Sequence, residues 1–200
     1  PVIVPNGGKP VMISGSSYCV FGYDPKTGKE IWKLPNDAFT AASSAVYDDK
    51  GMAYCATGRG KSEIQAIKVD GTGDISKNVV WRVEGNAVPQ EPSPIYVDGL
   101  LYVVNNNGLL TCLNAADGAQ VYAEHIGGNY VTSPIYADGK LYFSSVQGKT
   151  TVVQAGKEFK VLSVNSLEGG FMASPAVYGK SLILRSKTHL YRIEEGAAAK

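Results

Sequence analysis

Side chains able to do acid–base, nucleophilic or metal chemistry are sparse in this chain, and none stands at a spacing that builds a reaction centre. The two histidines, His125 and His189, have no second ligand or triad partner near them in sequence. Cys19, Cys55 and Cys112 lie inside apolar runs, with no CxxC pair and no adjacent pair, and read as packing thiols. Asp48, Asp49, Asp98, Asp117 and Asp138 sit where the chain turns, and there a carboxylate serves the turn itself. No phosphate-cradling glycine loop and no nucleophile elbow is present. The chemistry left is that of binding. Tyr130 and Phe171 each stand four residues before a Ser-Pro proline, and Gln90 holds the same place one segment earlier. Around them are Phe39, Arg59, Lys61, Glu91, Asn105, Asn106, Gln147 and Lys187, a mixture of aromatics, amides and charges.

The elements that must position these residues repeat. "SPIYVDGLLYVVNNNGLLTCLNAADG" from Ser93 returns as "SPIYADGKLYFSSVQGKTTVVQAG" from Ser133 and as "SPAVYGKSLILRSKTHLYRIEEG" from Ser174, a period of about forty residues. Two earlier copies begin near Pro1 and Ser43, the second lengthened by the polar insertion Val69–Val80. The copies span residues 1–40, 41–89, 90–129, 130–170 and 171–195, so the repeats form a single region. Each copy holds short β-branched or aromatic runs broken by Asp-Gly, Asn-Gly and similar turns, which predicts strands and no helix. A four-stranded antiparallel meander at this period predicts an all-β fold, a β-propeller of such blades, each sheet covered by its neighbours in the ring.

The last copy has three strands, and Pro1 already begins a first strand. This predicts an incomplete arc, with the remaining blades of a larger ring, and the missing outer strand, lying upstream. Small residues ahead of the first strands (Ser43, Ser44, Ser93, Ser133, Ser174) suit a crowded axis. Loops leading into first strands and loops joining second to third strands emerge on one face around that axis, and these loops carry the binding residues named above. Such a face suits a protein or peptide, with a glycan as an alternative. In the competing reading, Tyr130 and Phe171 plug the axis.

Composition narrows the partners. A formal net charge of +1, with 44% hydrophobic and 18% charged residues, describes a chain able to bury a core and without a basic block. Nucleic acid is therefore not an expected partner. The apolar runs are a few residues long, far short of the roughly 20 residues of a membrane-spanning helix.

The first copy contains "YDPKTGKEIW", Tyr23 to Trp32. Asp24, Thr27, Gly28 and Trp32 resemble the docking motif of PQQ-like, or quinoprotein-type, propeller repeats, and Trp81 stands in the equivalent place in the second copy. The resemblance implies that the tryptophan stacks over the neighbouring blade. It also implies a seven- or eight-bladed ring and a periplasmic or extracellular setting in bacteria. Two functions follow. The first is a non-catalytic scaffold in the cell envelope that binds protein or peptide and needs no cofactor. The second is part of a quinoprotein dehydrogenase oxidising an alcohol or sugar with PQQ and calcium. The chain lacks the adjacent cysteines found in many such dehydrogenases, and an enzyme is not the favoured expectation.

Overall fold

The computed structural model describes residues 1–6 and 8–196. Within it the chain runs through five consecutive antiparallel meanders. Blade 1 holds Val2–Val4, Val11–Ser16, Cys19–Tyr23 and Glu30–Pro35. Blade 2 holds Val46–Tyr47, Met52–Ala56, Glu63–Lys68 and Val79–Glu84. Blade 3 holds Ile95–Val97, Leu100–Val104, Leu109–Asn114 and Gln120–His125. Blade 4 holds Ile135–Ala137, Lys140–Ser144, Lys149–Gln154 and Val161–Ser166. Blade 5 has three strands, Ala176–Tyr178, Ser181–Arg185 and Leu190–Glu194. In every blade, strands adjacent in sequence pair side by side.

Local chemistry explains the regularity. The first hairpins of blades 3 and 4 turn on Asp98-Gly99 and Asp138-Gly139, whose φ values of 47°, 80°, 49° and 70° place both central residues in the left-handed region. The four complete blades share a break in register where the third strand meets the fourth, as at Gly22/Tyr23, Cys112/Leu113 and Val152/Val153.

The hydrophobic cores lie between blades. Alternation along each strand sends one set of side chains to each neighbouring sheet. Val11, Ile13, Trp32 and Leu34 of blade 1 meet Ala53, Cys55 and Ile67 of blade 2. Tyr54, Ile64 and Ala66 of blade 2 meet Leu101, Val103 and Leu113 of blade 3. Leu100, Tyr102, Leu110 and Cys112 of blade 3 meet Leu141, Phe143 and Val153 of blade 4. Between blades 4 and 5 there is instead a cavity of about 240 Å³, lined by Tyr142, Val152, Leu182 and Leu184 among others. Two of its walls are Ser144 and Thr150, whose hydroxyls bond each other at 2.9 Å, where blade 3 places Val104 and Leu110.

His125 closes the fourth strand of blade 3, and His189 precedes the third strand of blade 5. The insertion packs against blade 1. Gly73–Asp74 pairs in parallel with Trp32 and Lys33 on the outer edge of blade 1, Ile75 enters the core beneath, and a short 3₁₀ turn, Ser76–Asn78, leads back to blade 2. It covers an edge that would otherwise present unpaired backbone groups. Among the described residues no strand of blade 5 pairs with blade 1, and no helix is long and apolar enough to cross a membrane.

Candidate functional site

Around the axis, the serines ahead of the first strands form a relay from blade to blade. Ser44 N donates to Ser93 Oγ at 2.9 Å, Ser93 N to Ser133 Oγ at 3.0 Å, and Ser133 N to Ser174 Oγ at 2.9 Å. A small hydroxyl accepts each innermost N–H where a larger side chain would hold the blades apart.

The loops above this relay bind one another across blades. Asn106 lies between two connecting loops: its Nδ2 donates to Tyr130 O at 2.9 Å and to the Glu91 carboxylate, and its Oδ1 accepts from Gln90 N at 3.1 Å. Arg59 Nη2 closes on Glu91 Oε1 at 2.6 Å. Asn105 caps its own turn through Leu109 N at 2.9 Å and donates to Asn86 O at 2.7 Å. Gln147 Oε1 accepts from Asn129 N at 2.9 Å. Gln90, Glu91 and Asn106 are thus brought together, while Asn105 and Gln147 each brace a neighbouring loop.

Tyr130 and Phe171 lie apart from any open surface. Both are about 1% exposed, with Tyr130 inside the core between blades 3 and 4, and burial pushes its hydroxyl pKa up. Neither ring is available to a partner on this face. The aromatic surface on offer is at blade 1. Phe39 is 43% exposed and pairs across a short ladder with Arg59, the strand Ala38–Phe39 against Arg59–Gly60. Beside it stands Tyr18, 62% exposed, whose N–H donates to Ala38 O at 2.6 Å and whose C=O accepts from Asn36 N.

Sequence reasoning missed Tyr18. Its φ of 65° is left-handed, and register places it where blades 3 and 4 carry Gly108 and Gly148 at φ 82° and 86°. A bulky residue at a glycine's conformation stores about 1 kcal/mol of strain or more, and strain of this kind concentrates at functional positions. The signal was an aromatic in a turn where blades 3 and 4 use glycine.

The docking residues of blade 1 hold adjacent blades together. Asp24 Oδ1 accepts from Lys26 N at 2.8 Å and Thr27 N at 3.2 Å, bonds that hold its carboxyl below the usual range. Gly28, at φ 70°, donates back to Asp24 O at 2.8 Å. That turn launches Trp32, which is wholly buried and donates from Nε1 to Val69 O of blade 2 at 3.0 Å. Trp81 repeats the contact one blade on, reaching Ala115 O at 2.9 Å and lying over Gly118. In blade 3 the turn is rebuilt with Asn114 in the place of Asp24 and Asp117 in that of Thr27, and Tyr122 reaches Phe159 of blade 4. In blade 4 the place of Trp32 falls to Ser163, by the pairing Val152↔Ser163.

A calcium ion of the kind that accompanies PQQ takes six to eight oxygen ligands. Among the described residues no three His, Cys, Asp or Glu side chains gather into a cation site. Cys55 and Cys112 are buried, with burial pushing their thiols up to about 12 and about 11, and Cys19 is half-buried.

Meander blades stacked around an axis and docked by a tryptophan from the fourth strand define a PQQ-like β-propeller protein. The family model described as outer membrane protein assembly factor BamB matches residues 3–197, and the chain belongs to this family. Among solved structures, BamB from Moraxella catarrhalis superposes with a TM-score of 0.73 at 17% identity, over 96% of this chain and 57% of that one. The computationally designed Ika8 protein superposes with a TM-score of 0.73 at 10% identity, over 95% and 56%. The chain thus spans little more than half the length of either. No curated protein matches it.

Proposed function

We propose that this chain is a non-catalytic scaffold of the bacterial cell envelope that binds a protein or peptide through the rim of blades 1 and 2. The supporting observation is the exposed cluster of Tyr18, Phe39 and Arg59, seated on loops that cross-blade hydrogen bonds hold in place. Aromatic residues and arginine carry most of the energy at protein interfaces, and a pre-ordered surface loses little entropy when it binds. The strain at Tyr18 points the same way, since a glycine there would relieve it. Membership of the BamB family supports the envelope setting and a protein partner.

The test places a photo-crosslinking side chain at Phe39 in cells producing the protein. Discrete protein adducts are expected, and Tyr18→Gly or Arg59→Ala should deplete them. Adducts of equal yield from a crosslinker at Asp98, in a hairpin turn on the opposite face, would defeat the assignment. Dye-linked alcohol oxidation after loading with PQQ and calcium would replace the scaffold reading with an enzymatic one.

A further inference from the structure

Beside that rim, blades 1 and 2 enclose a polar recess of about 280 Å³ that departs from the repeat. On the face of blade 2 turned toward blade 1, Glu63 pairs with Glu84 and Gln65 with Arg82 across the third and fourth strands. The same two pairings in blade 3 are Leu109 with His125 and Thr111 with Ala123; in blade 4 they are Lys149 with Ser166 and Thr151 with Val164. Where blades 3 and 4 have one charged or titratable side chain each, blade 2 has three and a glutamine. The opposite wall is the end of blade 1's fourth strand, with Asn36 and Asp37.

The inner part of the recess is not satisfied by the chain itself. Gln65 is 1% exposed; its Nε2 donates to Glu63 Oε2 at 2.8 Å, and its Oε1 has no partner among the described residues. Asn36 uses its Oδ1 to accept from Ala38 N, and its enclosed Nδ2 likewise has none. A lone acceptor and a lone donor thus line one cavity, and groups buried in this way are nearly always paired. The charges are unbalanced too. Lys61 and Arg82 both reach the buried Glu63 at 3.2 Å, and Lys61 touches Glu84 at 3.8 Å. Three carboxylates, Asp37, Glu63 and the well-exposed Glu84, thus stand against two cations, an excess of one negative charge along the recess.

We propose that this recess receives an arginine or lysine side chain of the bound protein partner. The cation meets Asp37 and Glu84 and donates to Gln65 Oε1, while an adjacent backbone carbonyl accepts from Asn36 Nδ2. The proposal rests on the scaffold reading and names what that partner presents beside the Tyr18–Phe39 contact.

The test uses the full chain and a small probe, so it does not depend on finding the partner. Titration with N-acetyl-arginine amide is followed through the side-chain amide signals of Gln65 and Asn36 in ¹H–¹⁵N spectra. Saturable shifts with a Kd on the order of 1 mM are expected, as befits so small a ligand. N-acetyl-glutamate amide should give none, and Gln65→Leu should weaken the arginine probe about tenfold. If Gln65→Leu does not fold, the exposed-rim variant Asp37→Asn with Glu84→Gln must weaken it instead. Non-saturating shifts, an equal response to the glutamate probe, or unchanged affinity in the variants would overturn the proposal. Crosslinking from Phe39 would still succeed in that event, which separates failure of the recess from failure of the rim.

Discussion

Replacing Trp32 by alanine tests how these blades are held together. The indole is fully buried between blades 1 and 2, and truncating a buried tryptophan costs about 3–5 kcal/mol. Its bond to Val69 O adds to this, because the carbonyl left without a donor loses on the order of 1 kcal/mol. Against a total stability of roughly 5–15 kcal/mol for a folded domain, that is a large fraction. A companion variant shows that the loss comes from this packing. Gly22 faces Trp32 across the strand pair, and a Cβ there would land inside the indole, whose atoms are its three nearest neighbours. Gly22→Ala should therefore cost about 1–3 kcal/mol in the natural sequence. With Trp32 already alanine, the same change should be neutral or stabilising by about 0.5 kcal/mol, since Gly22 has no positive φ to protect. The assay is guanidinium unfolding followed by far-ultraviolet circular dichroism, because the substitution removes a fluorescent reporter. A coupling of about 2 kcal/mol between the two sites is expected. Equal costs for Gly22→Ala in both backgrounds would refute the docking geometry.

Further outcomes follow from the same structure. Burial pushes the Glu63 pKa up, but the bond from Gln65 and the bonds and charges of Lys61 and Arg82 outweigh it and hold the carboxyl below its usual value. A pKa depressed on folding stabilises the protein above the unfolded value, about 4.3, and that stability is lost as pH falls through the folded value. Glu63→Gln should accordingly flatten the acid limb of a stability–pH curve below about pH 4.3, and an unchanged limb would contradict the pairing. Tyr18→Gly should leave stability equal or raise it by up to about 1 kcal/mol, as relief of left-handed strain offsets glycine's entropy; a clear loss by thermal unfolding would show that Tyr18 supports the fold. Ellman's reagent should modify Cys19 ahead of the others in the folded chain and all three thiols after denaturation; fast reaction at Cys55 would contradict its burial.

Much of the fold was legible because repetition is a one-dimensional signal. The Ser-Pro spacing, the Asp-Gly hairpins and the Tyr23–Trp32 motif set strand order, blade number and the role of Trp32, each through local backbone preference or period-two alternation. The candidate site was legible in part. Asn105, Asn106, Gln147 and Arg59 fall in the loops expected of them, because loop membership follows from strand order. Whether a side chain in such a loop faces a partner or the interior is a packing question. Tyr130 and Phe171, open in the sequence to a partner-facing or an axis-plugging role, are both buried, Tyr130 in the apolar core between blades 3 and 4. Tyr18, unremarked in its serine-rich turn, is held outward by a left-handed backbone.

By itself the sequence determined that this is an all-β arc of propeller-type meander blades docked by tryptophan, since each of those properties resides in residues near one another along the chain. Only the tertiary structure decided that the Val69–Val80 insertion seals the edge of blade 1. It alone brought Phe39 and Tyr18 side by side, and set Gln65 and Asn36 across one recess. Those pairs belong to different repeats or different loops, and contacts between them depend on how the sheets close around the axis, a distance that no local propensity encodes.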